Sequence, residues 1–188
     1  MTSILEVEQL DTLSSNASST LTIGGTNTTT IAFGPNVTTT PSSLANTPAF
    51  EAYLSSSSGT VSNNVQTKVQ FNTEIYDSDN KYDNSTNYRF TPTIAGKYFV
   101  YAQVYMYMGA SNMNVAIIHI YKNGSSYMTR RLYQPSNPAQ AQGLNISATM
   151  DLNTTDYVEI YGQSQGADSN FIVNDKNNHF GAYRIIGA

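Results

Sequence analysis

From residue 50 onward, apolar and polar positions alternate in short runs separated by turn clusters about every ten residues, which is the period of strands and not of helices. The runs predict strands over residues 65–71, 88–91, 98–108, 115–121, 126–133, 144–152, 157–162 and 180–186. Asn123 and Gly124, between two of these runs, both tolerate the positive φ of a type I′ hairpin turn. Many short antiparallel strands and no convincing helical periodicity predict an all-β sandwich or jelly roll.

The run over residues 98–108 breaks the rule that a strand with one wet face alternates apolar with polar. One phase carries Tyr98, Val100, Ala102, Val104, Met106 and Met108, which suits a sandwich core. The other carries Phe99, Tyr101, Gln103, Tyr105 and Tyr107. Tyrosine rows suit a surface covered by protein that still offers hydroxyl partners, so this phase is read as a subunit interface. Cover by the N-terminal segment of the same chain is the alternative.

Upstream, Ile4, Val7, Leu10 and Leu13 recur every three residues, consistent with a short amphipathic helix or strand. A ten-residue repeat follows, residues 20–29 aligning with 30–39, each unit reading apolar, small, apolar and then glycine. Leu21 with Ile23, and Ile31 with Phe33, would line one side of a strand too short to bury that side alone. They are expected to pack against equivalent strands of other chains in a stalk; a Ser/Thr/Asn-rich linker is the plainer alternative. Residues 41–48 read as a linker, which divides the chain into an anchor and stalk over 1–47 and a head over 48–188.

Composition narrows the functional classes. Only 12% of the 188 residues are charged, the net charge is −4, and cysteine is absent. A largely uncharged polar surface suits an exposed particle protein or one buried in subunit contacts. The negative charge, with Arg130 and Arg131 as the one tight basic doublet, disfavours nucleic acid. Without cysteine there is no disulfide, thiolate metal site or thiol nucleophile. The first eight residues lack the basic and apolar regions of a secretory signal, and no run approaches the length of a membrane helix.

Several strings resemble, in order, the tumour necrosis factor-like jelly roll, whose superfamily includes the globular heads of complement q. They are Phe71 to Asp77, Tyr82-Asp83 with Tyr88 to Pro92, Ile94 to Val100, Tyr121 to Gly124, Leu152 to Val158, and Phe180 to Ile186. The 94–100 string is similar to that family's Gly-x-Tyr-x-Phe signature, and 121–124 to its Lys-Asn-Gly hairpin. The glycine of its Gly-Asp element is replaced near Thr155 and Asp156, and no collagen region precedes the domain. The resemblance implies a homotrimer of ten-stranded jelly rolls with aromatic inner-sheet residues around the three-fold axis. Residues 2–7, the glycine repeat and residues 47–52 also resemble structural proteins of marine bacteriophages.

Chemistry-bearing clusters are few. Asp77, Asp79 and Asp83 are similar to the start of a calcium loop, but Lys81 stands where an oxygen ligand belongs, which excludes an EF-hand. A looser calcium site competes there with a turn of Asp and Asn bonding its own backbone. His119 shares a phase with Val115, Ile117 and Tyr121 and is assigned to the trimer interface with Phe99, Tyr101, Tyr105 and Tyr107; a hydrogen-bonded core histidine is the plainer reading. His179 reads as a loop residue. Neither paired carboxylates for acid–base work, a Gly-x-Ser-x-Gly elbow nor a phosphate loop occurs.

The expectation is therefore a non-enzymatic virion protein without cofactor: a trimeric surface appendage on a head or tail fibre. Its N-terminus would contact other virion proteins, and its head would meet a host glycan or surface protein through loops such as 110–114 and 134–143. A capsid decoration or cement protein that stabilises the shell without receptor binding is the alternative.

Overall fold

The computed structural model describes residues 45–56, 59–136, 138–171 and 176–185. The expectations for the stalk residues Leu21, Ile23, Ile31 and Phe33 lie outside the described residues. Among the described residues thirteen strands run β1 Ala49–Tyr53, β2 Thr60–Val61, β3 Thr67–Lys68, β4 Thr73–Asp77, β5 Tyr82–Asp83, β6 Arg89–Phe90, β7 Gly96–Tyr107, β8 Val115–Lys122, β9 Ser125–Tyr133, β10 Ala141–Leu152, β11 Val158–Gln165, β12 Ser169–Phe171 and β13 His179–Arg184. The count exceeds the ten implied by the resemblance because β2, β3, β5 and β6 are two-residue pieces.

All pairings are antiparallel and form two sheets. In the seven-stranded sheet, β7 pairs with β10 along its whole length on one side and with β13 and β12 on the other, and β1 and β4 continue beyond β13. The six-stranded sheet runs β5-β6-β11-β8-β9, with β3 also on β11. One face of each sheet closes on the other, which is why β7 and β10 alternate so regularly. Val100, Val104 and Met106 of β7 and Leu144, Ala148 and Met150 of β10 are buried, whereas Asn145, Ser147 and Thr149 are exposed.

An aromatic knot holds one end of the core. Phe50 stacks on Tyr82 (centroids 4.6 Å, planes 6° apart) and on Phe90 (4.7 Å), and meets Phe180 edge-on at 4.9 Å. Strands β1, β5, β6 and β13 from both sheets therefore converge on one ring. Tyr82 keeps its hydroxyl satisfied inside the core by donating to the Phe71 carbonyl at 3.0 Å.

The β8–β9 turn forms as its sequence predicts, with φ of 52° at Asn123 and 75° at Gly124. The structure adds why the string 152–158 belongs with it. Asn123 donates from Nδ2 to Asp156 (2.7 Å) and accepts the Tyr157 N–H (2.9 Å); Asp156 also accepts the Asn153 N–H (2.8 Å) and pairs with Lys122 at 3.0 Å. The Asn153 N–H, the Asn123 amide and the Lys122 ammonium hold the Asp156 carboxyl at about 2, against the burial that would raise it. Two short strings, far apart in sequence, thus lock one hairpin to the loop before β11.

Candidate functional site

The second phase of β7 forms the outward face of the seven-stranded sheet, and its neighbours extend the aromatic row. Cross-strand register places Thr149, Phe99, Tyr183 and Ala49 in one row, Ser147, Tyr101, Gly181 and Glu51 in the next, and Asn145, Gln103, His179 and Tyr53 in a third. Phe99 packs against Tyr101 (6.1 Å) and Tyr183 (5.5 Å), and Tyr101 lies 6.3 Å from the His179 ring. Phe99, Tyr101 and Tyr105 are half-buried, while Tyr107, Tyr76 and Tyr183 are exposed.

Gly181 makes that arrangement possible. A Cβ at this position would sit 2.4 Å from the Tyr101 ring and hydroxyl, so only glycine lets Tyr101 lie flat across β13 and donate to Glu51 Oε2 at 3.2 Å. Burial and the Glu51 carboxylate push the Tyr101 phenol above its ordinary value, so it stays a hydrogen-bond donor across the physiological range. This is a preorganised, uncharged aromatic surface with one carboxylate at its margin.

A groove of about 680 Å3 crosses this face, floored by Phe99, Tyr101 and Gln103 and walled by Met128, Thr129 and Arg130 of β9. Strand β9 is the free edge of the six-stranded sheet, and eight of its nine residues are exposed. Its Tyr127 hydroxyl donates to the Thr149 carbonyl at 3.3 Å, tying β9 over the edge of β10. Among the described residues no strand pairs with this edge, and with Tyr127, Met128 and Tyr133 exposed it is an aggregation hazard unless a partner covers it.

The other expected residues fall elsewhere. His119 keeps its expected phase but belongs to β8 of the six-stranded sheet, so it does not share the face of Phe99, Tyr101, Tyr105 and Tyr107. Its Nδ1 meets Thr129 Oγ1 at 2.9 Å, and Tyr121 stands edge-on at 5.9 Å. Its Nε2 is buried without a hydrogen bond of good geometry, the neighbouring Gln163 amide being turned to Asn64 at 2.8 Å. Burial lowers the His119 pKa, with Gln163 opposing and Arg131 reinforcing the shift.

A histidine whose folded pKa lies below the unfolded value of 6.5 contributes stability that is complete above that value and is lost as pH falls through the folded value. The urea midpoint should therefore decline as pH falls below about 6.5, and His119→Gln should flatten that decline. An unchanged slope in the variant would show that His119 is not the titrating group.

Nor do Asp77, Asp79 and Asp83 converge. Asp77 accepts the N–H groups of Asp79 (3.2 Å) and Tyr82 (2.7 Å). Asp83 accepts from the N–H groups of Ser85, Thr86 and Asn87 and from Asn87 Nδ2 (2.7 Å). Burial alone would raise the Asp83 carboxyl, but these donors outweigh it and hold it well below the carboxylate range. The acids are turn builders, and among the described residues no group of three or more His, Asp or Glu is placed to hold a metal ion. The described residues of loops 110–114 and 134–143 are joined through Met113 N–H to Ala139 O (2.7 Å) and Gln134 N–H to Asn114 O (2.8 Å). No helix among the described residues is long and apolar enough to cross a membrane.

Sequence reasoning missed Glu51, Tyr53, Tyr183 and the β9 wall as parts of the face. The one available signal was the alternation of Ala49 to Tyr53, which the preceding proline obscures.

No family model matches the chain. The uncharacterized protein YqcC of Bacillus subtilis (strain 168) is 35% identical over 126 residues, 63% of this chain; the chain spans about a third (34%) of that relative's length. Among solved structures, the globular domain of zebrafish complement 1qA protein superposes with a TM-score of 0.52 at 16% identity, covering 73% of this chain and 97% of that one. The Eiger TNF of S. frugiperda superposes with a TM-score of 0.53 at 12% identity, covering 74% and 93%. The fold is thus a TNF- and complement 1q-like jelly roll. Neither neighbour bears on the bacteriophage resemblance.

Proposed function

We propose that this chain is a non-enzymatic structural and binding protein whose jelly-roll head assembles as a homotrimer through the aromatic face of the seven-stranded sheet. The observation that carries this reading is the continuous outward row of Phe99, Tyr101, Tyr105, Tyr107 and Tyr183 beside a free edge strand, β9. One surface needs cover and the other needs a partner. Seating the β9 edge of one protomer on the aromatic face of the next uses both, and a head-to-tail contact of that kind closes when the rotation is three-fold. The absence of paired catalytic groups in the sequence supports the non-enzymatic part.

Residues 1–47 are proposed to anchor the head to a virus particle, as a fibre or other surface appendage, through contacts with other virion proteins. Low charge and the ten-residue repeat support that placement. The test is immuno-electron microscopy with antibody to the head: decoration of particle surfaces supports the location. Failure to label any particle sinks it and leaves the trimer to be judged on its own.

A further inference from the structure

A second cavity, of about 580 Å3, lies at the β5–β6 edge of the six-stranded sheet, the edge opposite β9. Its volume is in the range of small-ligand sites, and its lining is mostly polar, with Tyr82 and Pro92 as the apolar members. Lys81 and Arg89 supply the cations, and Thr91, Thr93 and Thr154 the hydroxyls.

The arrangement of charge is unusual for a surface turn. Asp83 pairs directly across the strands with Arg89, where an ion pair would be expected. It is instead consumed by the donors of residues 85–87 described above. The ion pairs among the described residues are Lys68–Glu159, Lys97–Asp151 and Lys122–Asp156, so neither Lys81 nor Arg89 is neutralised there. Arg89 is nonetheless held in place, its guanidinium stacked 4.4 Å from the centroid of the Tyr157 ring. The Tyr157 backbone is tied to the Asn123 side chain, and the Thr91 N–H to Lys81 O bond at 3.0 Å ties the two sides of the cavity together.

A planar guanidinium in a fixed plane, with its donors unpaired, matches a carboxylate through two parallel bonds. The threonine hydroxyls and the side-chain amides of Asn80 and Asn87 both donate and accept, as sugar hydroxyls do. We propose that this cavity binds a carboxylate-bearing sugar, a uronic or sialic acid residue of a surface glycan, with the carboxylate on Arg89 and Lys81. The site is built within one protomer and does not depend on the trimer.

The test uses the full chain and a disaccharide ending in glucuronic acid, its methyl ester, and inorganic phosphate, measured by saturation-transfer NMR with titration. The acid should bind at least about tenfold more tightly than the ester, and Arg89→Lys, which keeps the charge but not the fork, should lose about tenfold with the circular dichroism spectrum unchanged. Phosphate should compete poorly. The assignment is overturned if no saturable binding appears up to about 10 mM acid, if the ester binds equally, if phosphate competes at equal concentration, or if Arg89→Lys binds like the unaltered chain. None of these outcomes changes the solution mass, so failure here and failure of the trimer are separable.

Discussion

Phe50→Ala should destabilise the head by about 3–5 kcal/mol, the range for deleting a fully buried aromatic side chain. Phe50 is 0% exposed, and its ring touches Tyr82, Phe90 and Phe180, so the cavity left behind is lined by stiff rings that cannot collapse into it. The loss also reaches both sheets, because those three partners sit on β5, β6 and β13. Urea unfolding of Phe50→Ala against the unaltered chain measures it. Phe50→Leu should recover more than half of the loss, and a change below about 1 kcal/mol in Phe50→Ala would mean that the aromatic knot is not central to the core.

The second large effect is on assembly. Phe99→Arg combined with Tyr105→Arg places two charges on the outward face of β7 without touching the inward phase of Val100, Ala102 and Val104. Burying an unpaired charge in a subunit contact and removing two aromatic anchors should cost about 2 kcal/mol or more per copy. The double variant should therefore sediment at one third of the mass of the unaltered assembly while keeping its unfolding transition. Analytical ultracentrifugation decides it: a variant whose mass is unchanged places the subunit contact on another face.

How much of this was legible in the sequence depends on the range of the interaction concerned. Strand β7, expected over 98–108, and strand β10, expected over 144–152, were readable to within two and three residues of their starts, because one phase of each is committed to the core. Strand β8 was readable as the run 115–121, and the structure buries both of its faces from Val115 to Ile120. Strand β1 was not, since Ala49 to Tyr53 follows a proline and offers only two large apolar positions. The runs predicted over 65–71 and 88–91 shrink to the two-residue strands β3 and β6, and β2, β5 and β12 are too short to carry a period at all.

The aromatic face was legible as a list of side chains on β7 and illegible as a surface. Its other half comes from β1 and β13, which reach β7 only through pairing between the two ends of the head. His119 shows the same limit: its phase along the strand is local, but the sheet that the strand joins is set by pairing with Tyr161 and Thr129. For Asp77, Asp79 and Asp83 the sequence held two readings, ligands or turn builders, and the positions of the backbone N–H groups of residues 79–87 chose the second.

The account rests on one assembly, and the solution mass of the purified full-length chain by multi-angle light scattering tests it most directly. Three times the chain mass of 20.5 kDa, held on dilution to micromolar concentration, is the predicted result. A monomer at that concentration would leave the aromatic face of β7 and the edge of β9 without a partner, and would contradict the proposal.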